Sequence, residues 1–263
     1  MSSPVPTTMS RAELHQKLLA LNLRRLADDL DDFLARATKQ RLPPEGVVEQ
    51  LVRLELAERE RRSLERRLKR SRLGRFKPMA DFDWAWPKRI DREPIERALS
   101  GQLVSERANM VLVAAQGLGK TMIARNVVHA SVLAGRSALF VEASQMLLDL
   151  GGQDSSRALE LRLRHYARPD LLAIDEVGYL SYDSRSADLL FQVISRRHEQ
   201  KSVLVTTNLA FSDWPTIFPN ASCLVALIDR LTHHADICLI EGESYRRREA
   251  DARLKARSTK KRA

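Results

Sequence analysis

The sequence predicts an α/β protein, a parallel sheet sandwiched by helices, with a small all-helical domain in front of it. Three observations lead there. Five short apolar runs (110–115, 137–143, 170–176, 202–208 and 236–242) alternate with helix-length segments. Buried strands alternating with helices are the pattern of a parallel sheet covered on both faces. The string Ala114-Ala115-Gln116-Gly117-Leu118-Gly119-Lys120-Thr121 joins the first run to the segment after it. Residues 10–75, by contrast, carry leucines at roughly helical spacing.

In chain order, Leu14, Leu18, Leu21, Leu26, Leu30, Phe33 and Leu34 mark one or two helices within 10–40. "LPPEG" at 42–46 breaks that pattern. Val47, Val48, Leu51, Leu54 and Leu56 begin a further helix, supported beyond residue 58 by interleaved Glu and Arg and able to stop at Gly74. "MADFDWAWPKRIDREP" at 79–94 reads as an ordered linker, because Phe82, Trp84 and Trp86 need a surface to dock on. The expected domains are thus 1–78, helical and basic; 79–245, the sheet domain; and 246–263, a basic tail.

Charge follows the same division. Of the net +10, residues 1–80 hold +7, residues 81–245 hold −4 and residues 246–263 hold +7. Basic ends around an acidic middle predict salt-dependent attraction to nucleic-acid phosphates. No apolar run is long enough to span a bilayer, and MSSPVPTTMS has no export pattern. A cytoplasmic protein without membrane partners is expected. Cys223 and Cys238 lie in apolar runs and read as buried thiols. His233 and His234 are adjacent, which does not suit one metal at the usual helical spacing, so they read as structural.

The chemistry concentrates at strand ends. Residues Ala114 to Met122 lie between a strand and a helix, where backbone N–H groups and the helix N-terminus can wrap phosphates. Lys120 would reach the outer phosphates and Thr121 would ligate magnesium. Gly117 and Gly119 permit conformations that side chains block. If the strand-exit position needs positive φ, Ala114 costs on the order of 1 kcal/mol there. "LLAIDEVGYL" at 171–180 ends a buried strand in two carboxylates, which packing alone does not explain. Asp175 would hold the magnesium, and Glu176 would orient or deprotonate the attacking water. Asn208 ends the next strand on the same edge, where an amide could position that water. Arg230, before the last strand, could act in trans on a neighbour's nucleotide.

With these motifs, and with "LLFQVISRRHEQ", "VLVTTNLAFSDW" and "DRLTHHADICLIEGESYRRRE", the chain resembles the IstB-type helper ATPases of bacterial insertion sequences. These are AAA+ proteins close to the DnaC helicase loaders. The resemblance implies an AAA+ (ASCE P-loop) sheet, ATP and Mg2+ as cofactors, and homo-oligomers with ATP between subunits. It implies binding of double-stranded DNA and work beside a separate transposase. By motif position, Lys120 and Thr121 are the phosphate-loop pair and Asp175 and Glu176 the magnesium and hydrolysis acids. Asn208 becomes the first sensor, Arg230 the trans-acting finger, and Arg246 a nucleotide sensor. The loop departs from the family's Gly-Pro-Pro-Gly opening, with Ala114-Ala115-Gln116-Gly117 instead.

Two regions are candidates for DNA contact: Arg61, Arg62, Arg66, Arg67, Lys69, Arg70 and Arg72, and then Arg157, Arg162, Arg164 and Arg168. Phosphate contacts of this kind give shape-based binding. Two other readings share the nucleotide motifs: a helicase loader, told apart by its partner, and a nucleotide-binding scaffold with little turnover, supported by Ala114 alone. No cluster of acids suited to strand transfer lies outside the nucleotide motifs, so cutting and joining DNA is assigned to another chain.

Overall fold

The structure, a computed structural model, describes residues 9–179 and 182–249. Most of the predicted tail, residues 250–263, lies outside the described residues. Two compact units divide between Arg66 and Arg67.

The first unit holds α1 (Arg11–Ala20), α2 (Arg24–Asp28), α3 (Leu30–Lys39) and most of α4 (Pro44–Ser71). Three helices thus occupy the stretch expected to hold one or two. A capping box starts α1: Ser10 Oγ accepts from Glu13 N at 3.2 Å, and Glu13 Oε2 accepts from Ser10 N at 2.9 Å. Leu18, Leu26, Ala27 and Phe33 form the buried centre, with Leu14, Leu30, Leu34, Leu51 and Leu54 packed around it. Glu55 is buried and accepts from Leu26 N at 2.7 Å, pairing an amide in the first turn of α2 that has no partner within the helix. "LPPEG" does more than interrupt the pattern: α4 begins at Pro44, whose fixed φ suits a first helical turn.

The unit boundary lies inside α4, earlier than the expected break after residue 78. The reason is where residues 67–77 find partners. Arg125 Nη1 donates to Leu73 O and Arg75 O, both at 3.0 Å, and Asn126 Nδ2 donates to Lys77 O at 3.0 Å. Leu73 is buried. This segment is therefore tied to the sheet unit. α4 itself ends at Ser71, where Arg72 turns to positive φ, before Gly74.

The second unit continues with α5 (Arg92–Leu99), α6 (Gln102–Ser105), β1 (Asn109–Ala114), α7 (Lys120–Leu133), β2 (Ala138–Glu142), α8 (Ala143–Gly151) and α9 (Ser156–Ala167). It ends with β3 (Leu171–Val177), α10 (Ser184–Arg197), β4 (Ser202–Thr207), α11 (Trp214–Ile217), α12 (Leu224–Thr232) and β5 (Ala235–Ile240). All five predicted strands are present. They form one parallel sheet in the order β2-β3-β4-β1-β5. The three inner strands are apolar throughout most of their length because both faces are covered. Cys238 is buried as expected; Cys223 is only partly so.

One buried cation organises the amino edge of this sheet. Arg197, with no exposed surface, donates through Nη1 to the carbonyls of Tyr166, Ala167 and Pro169, and through Nη2 to those of Asp170 and Ser202. It thereby satisfies the orphan carbonyls at the end of α9 and joins the starts of β3 and β4. Burial pulls its pKa down, to about 9, which leaves the guanidinium charged at neutral pH. Replacing it removes the donors while the carbonyls stay buried. Arg197→Met is expected to lose at least about 3 kcal/mol of stability, read as a lower urea midpoint.

Candidate nucleotide site

A cleft of about 690 Å3 lies at the carboxyl edge of the sheet. Its lining includes Gln116, Gly117, Leu118, Gly119, Lys120, Thr121 and Met122, together with Glu176 and Asn208. The parallel topology alone brings these ends together: the loop follows β1, the acids end β3 and the asparagine follows β4.

The loop needs its glycines for two reasons. Gly117 has φ +80 and Gly119 φ +89, conformations that L side chains rarely adopt. There is also no room. A Cβ on Gly117 would stand 2.1 Å from Ser244 Oγ, and one on Gly119 2.5 Å from Phe82 Cε2. Ala114 is a different case. It is buried at the end of β1, in register with Ile240, and is not among the residues with positive φ. The strain foreseen for alanine at this position therefore does not arise. Lys120 Nζ reaches back to Ala114 O at 2.6 Å and Ala115 O at 3.0 Å. Partial burial lowers its pKa, opposed by the charges of Asp175 and Glu176 and aided by Arg246.

The acids sit on an irregularity. The β3–β4 register shifts between Ile174 and Val177, so Asp175 and Glu176 occupy a bulge, a device that re-aims side chains at a strand end. Asp175 points inward, 2% exposed, and accepts from Thr206 Oγ1 at 2.5 Å and Thr121 Oγ1 at 3.3 Å. Glu176 points into the cleft from a backbone at φ +60, strained for a residue with a side chain. Its amide donates to the same Thr206 Oγ1 at 2.9 Å. Lost hydration raises its carboxyl above the usual range, reinforced by the charges of Asp175 and Glu142. Thr206 thus binds both acids. Thr206 is not among the residues that the sequence singles out, which include Asn208; its signal is a threonine pair, Thr206-Thr207, buried after the apolar run Val203-Leu204-Val205.

The cleft walls come from both flanks of the sheet. Phe76 contributes from the segment after α4, Phe82 and Trp86 from the linker, and Tyr245 and Arg246 from beyond β5. The two flanks are joined. Arg89 and Glu241 exchange backbone hydrogen bonds at 3.2 and 2.9 Å, and Trp86 Nε1 donates to Glu243 O at 2.8 Å. The Arg248 guanidinium lies 4.4 Å from the Trp86 ring centre, and Tyr245 N donates to Gly117 O at 3.0 Å. The aromatic linker is therefore docked, as predicted, and it docks on the site.

Arg230 is not brought to this cleft. It lies on α12 with its guanidinium 4.7 Å from the Phe191 ring centre. The basic residues singled out earlier also divide. Arg61 pairs with Glu58 and Glu65, Arg62 with Glu58, and Arg67 donates to Val132 O at 3.3 Å. Arg162 makes a two-pronged pair with Asp149, and Arg164 pairs with Glu160. Arg66, Lys69, Arg70, Arg72, Arg157 and Arg168 are exposed.

Oxygen donors for a hard cation are present where Thr121 Oγ1 meets Asp175 Oδ1, beside an amine and a glycine loop open to anions. The residues fit a nucleoside triphosphate with Mg2+. Thr206→Val keeps the shape of the side chain but leaves the Glu176 amide and the Asp175 carboxylate without this hydroxyl. A stability loss of about 1–3 kcal/mol is expected by urea denaturation, with Thr206→Ser retaining most of it.

Comparison with known proteins agrees with this geometry. The family model described as IstB-like ATP binding protein matches residues 16–253. A protein of insertion sequence IS232 from Bacillus thuringiensis subsp. berliner is 32% identical over 240 residues, covering 90% of this chain and 95% of its own. One of IS21 from Pseudomonas aeruginosa is 32% identical over 238 residues, covering 90% and 89%. Both are provisionally named ATP-binding proteins. Among solved structures, DnaI superposes with a TM-score of 0.53 at 16% identity, over 62% of this chain and 90% of its own, a likeness of fold. The chain belongs to the IstB-like ATP-binding protein family of insertion sequences and shares its parallel α/β fold with DnaI.

Proposed function

We propose that the chain is an ATPase that helps transposition: with ATP it assembles with further copies on double-stranded DNA, recruits or activates a separate transposase, and is reset by hydrolysis. The observation that supports this most is the division of the hydrolytic residues. Lys120, Thr121, Asp175, Glu176 and Asn208 serve one cleft, whereas Arg230 stands outside it on Phe191. A positioned cation on the transferring phosphoryl group supplies a large part of such catalysis. A cleft that Arg230 of its own chain does not reach turns over slowly until a neighbouring copy provides that residue.

Within the cleft, the loop amides and Lys120 bind the phosphates. Thr121 and Asp175 would hold Mg2+, which neutralises phosphate charge when bound. The raised carboxyl of Glu176 suits it to orient water and take up its proton, and the Asn208 amide holds that water. The insertion-sequence relatives support the link to transposition.

Mixing variants tests assembly directly. Lys120→Ala is expected to lose ATP binding and ATP-dependent growth in particle size. Glu176→Gln assembles with ATP, but its turnover falls at least about 100-fold. Arg230→Ala has an intact cleft and Glu176→Gln an intact arginine, so mixing the two inactive proteins restores part of the rate. No recovery in the mixture sinks the assignment of Arg230 to a neighbour's nucleotide.

DNA contact falls to the exposed cations, not to those paired within the chain. Arg157 and Arg168 would meet phosphates, whereas Arg162 anchors α8 to α9 through Asp149. The double change Arg157→Ala with Arg168→Ala should lower the slope of log affinity against log salt by about 2. Arg162→Ala should leave that slope unchanged and reduce stability instead.

A further inference from the structure

Opposite the nucleotide cleft, at the amino edge of the sheet, the ends of α10 and α12 carry a cluster that the ATPase reading does not use. His198 and His233 occupy the same position on the two helices. Each is the C-cap, each has extended backbone (φ −50, ψ 127 and φ −63, ψ 122), and each is followed by a residue other than glycine at positive φ. Those followers are Glu199 at φ +58 and His234 at φ +51. Glycine ordinarily fills such places at a helix end. Here two neighbouring helix ends both adopt the left-handed turn without it, and the turns bring their imidazoles together. The His198 and His233 ring centres are 5.2 Å apart, and His233 Nδ1 lies 3.8 Å from Glu199 Oε1.

We infer that His198, His233 and Glu199 form a binding site for a divalent transition metal of the zinc class, stapling the end of α10 to the end of α12. One donor atom from each of the three already lies within 4.8 Å of the others. Tetrahedral zinc with nitrogen and oxygen ligands needs donor separations of about 3.4 Å. All three side chains are partly or fully exposed, so side-chain rotation closes that gap without moving the backbone. Two imidazoles and a carboxylate are an established zinc donor set with one position left for water. They are poorly suited to Mg2+, which prefers oxygen ligands and keeps its waters. Two helix C-termini, each the negative end of its dipole, converge on the same point and favour a cation there. The adjacent pair His233 and His234 does not suit one metal from a single helix; here the second imidazole comes from the end of another helix, 35 residues earlier in the chain.

The test uses the full chain, with Zn2+ alone as the probe and Mg2+ in excess. Titration calorimetry should find one equivalent bound. His198→Ala and His233→Ala should each weaken binding at least tenfold, and Glu199→Gln should weaken it less. Cys223→Ser should leave it unchanged. Zn2+ should raise the thermal midpoint of the wild type and not that of the His198→Ala and His233→Ala proteins, whose far-ultraviolet circular dichroism should match the wild type. Absence of saturable binding in the wild type overturns the site. So does binding that survives loss of either histidine. If a histidine variant misfolds, Glu199→Gln decides: unchanged affinity in that protein also overturns the site.

Discussion

A single hydroxyl, that of Thr206, governs the carboxyl edge of this sheet. Asp175 and Glu176 are consecutive, so in a regular strand they would face opposite sides of the sheet. Both are wanted on the loop side. The bulge between Ile174 and Val177 solves the geometry but breaks the hydrogen-bond ladder and forces Glu176 to φ +60. Thr206 compensates the broken ladder from the neighbouring strand and holds the inward acid. It donates to the Asp175 carboxylate and accepts from the Glu176 amide that the broken ladder leaves over. An apolar β-branched residue would fit the space and supply neither bond. The threonine is therefore a positioning residue, acting through the acids.

The opposite edge of the sheet is held by Arg197 in a comparable way. The chain turns from α9 into β3 and from α10 into β4 at nearly the same place, which gathers buried carbonyls with few amides to meet them. One guanidinium supplies fixed, forked donors to five of those carbonyls. Loops at the carboxyl edge can then vary to carry chemistry, because the strand starts that set their spacing are clamped at the amino edge.

How far the sequence was legible follows from what each signal depends on. The five strands could be read because burial on both faces makes them apolar runs, independent of which neighbour each strand finds. Lys120, Thr121, Asp175, Glu176 and Asn208 could be placed at one edge because a parallel sheet puts every strand end on that edge. Thr206 could not be singled out, since its role arises from a register shift in a different strand. His198 and His233 could not be associated, because the contact needs two helices packed side by side. The strain assigned to Ala114 was tied to an unknown φ, and the backbone resolves it: that residue ends β1 as an ordinary strand position. Arg162 looked like its neighbours on α9 until Asp149 appeared opposite it.

The surroundings of the phosphate loop carry the last step. Gly117 and Gly119 are crowded not by the sheet but by Ser244 and Phe82, which come from opposite sides of the domain in sequence. Trp86, Glu243, Arg89 and Glu241 tie those two segments to each other, so neither lies against the loop independently. A loop that changes shape around phosphates must displace or tighten both. Beyond Ser244 and Tyr245 the chain runs into Arg246, Arg247 and Arg248, the start of the basic stretch 246–263. Events at the phosphates and the position of those arginines are thereby mechanically connected through a few residues, and the connection passes through the backbone bond from Tyr245 to Gly117.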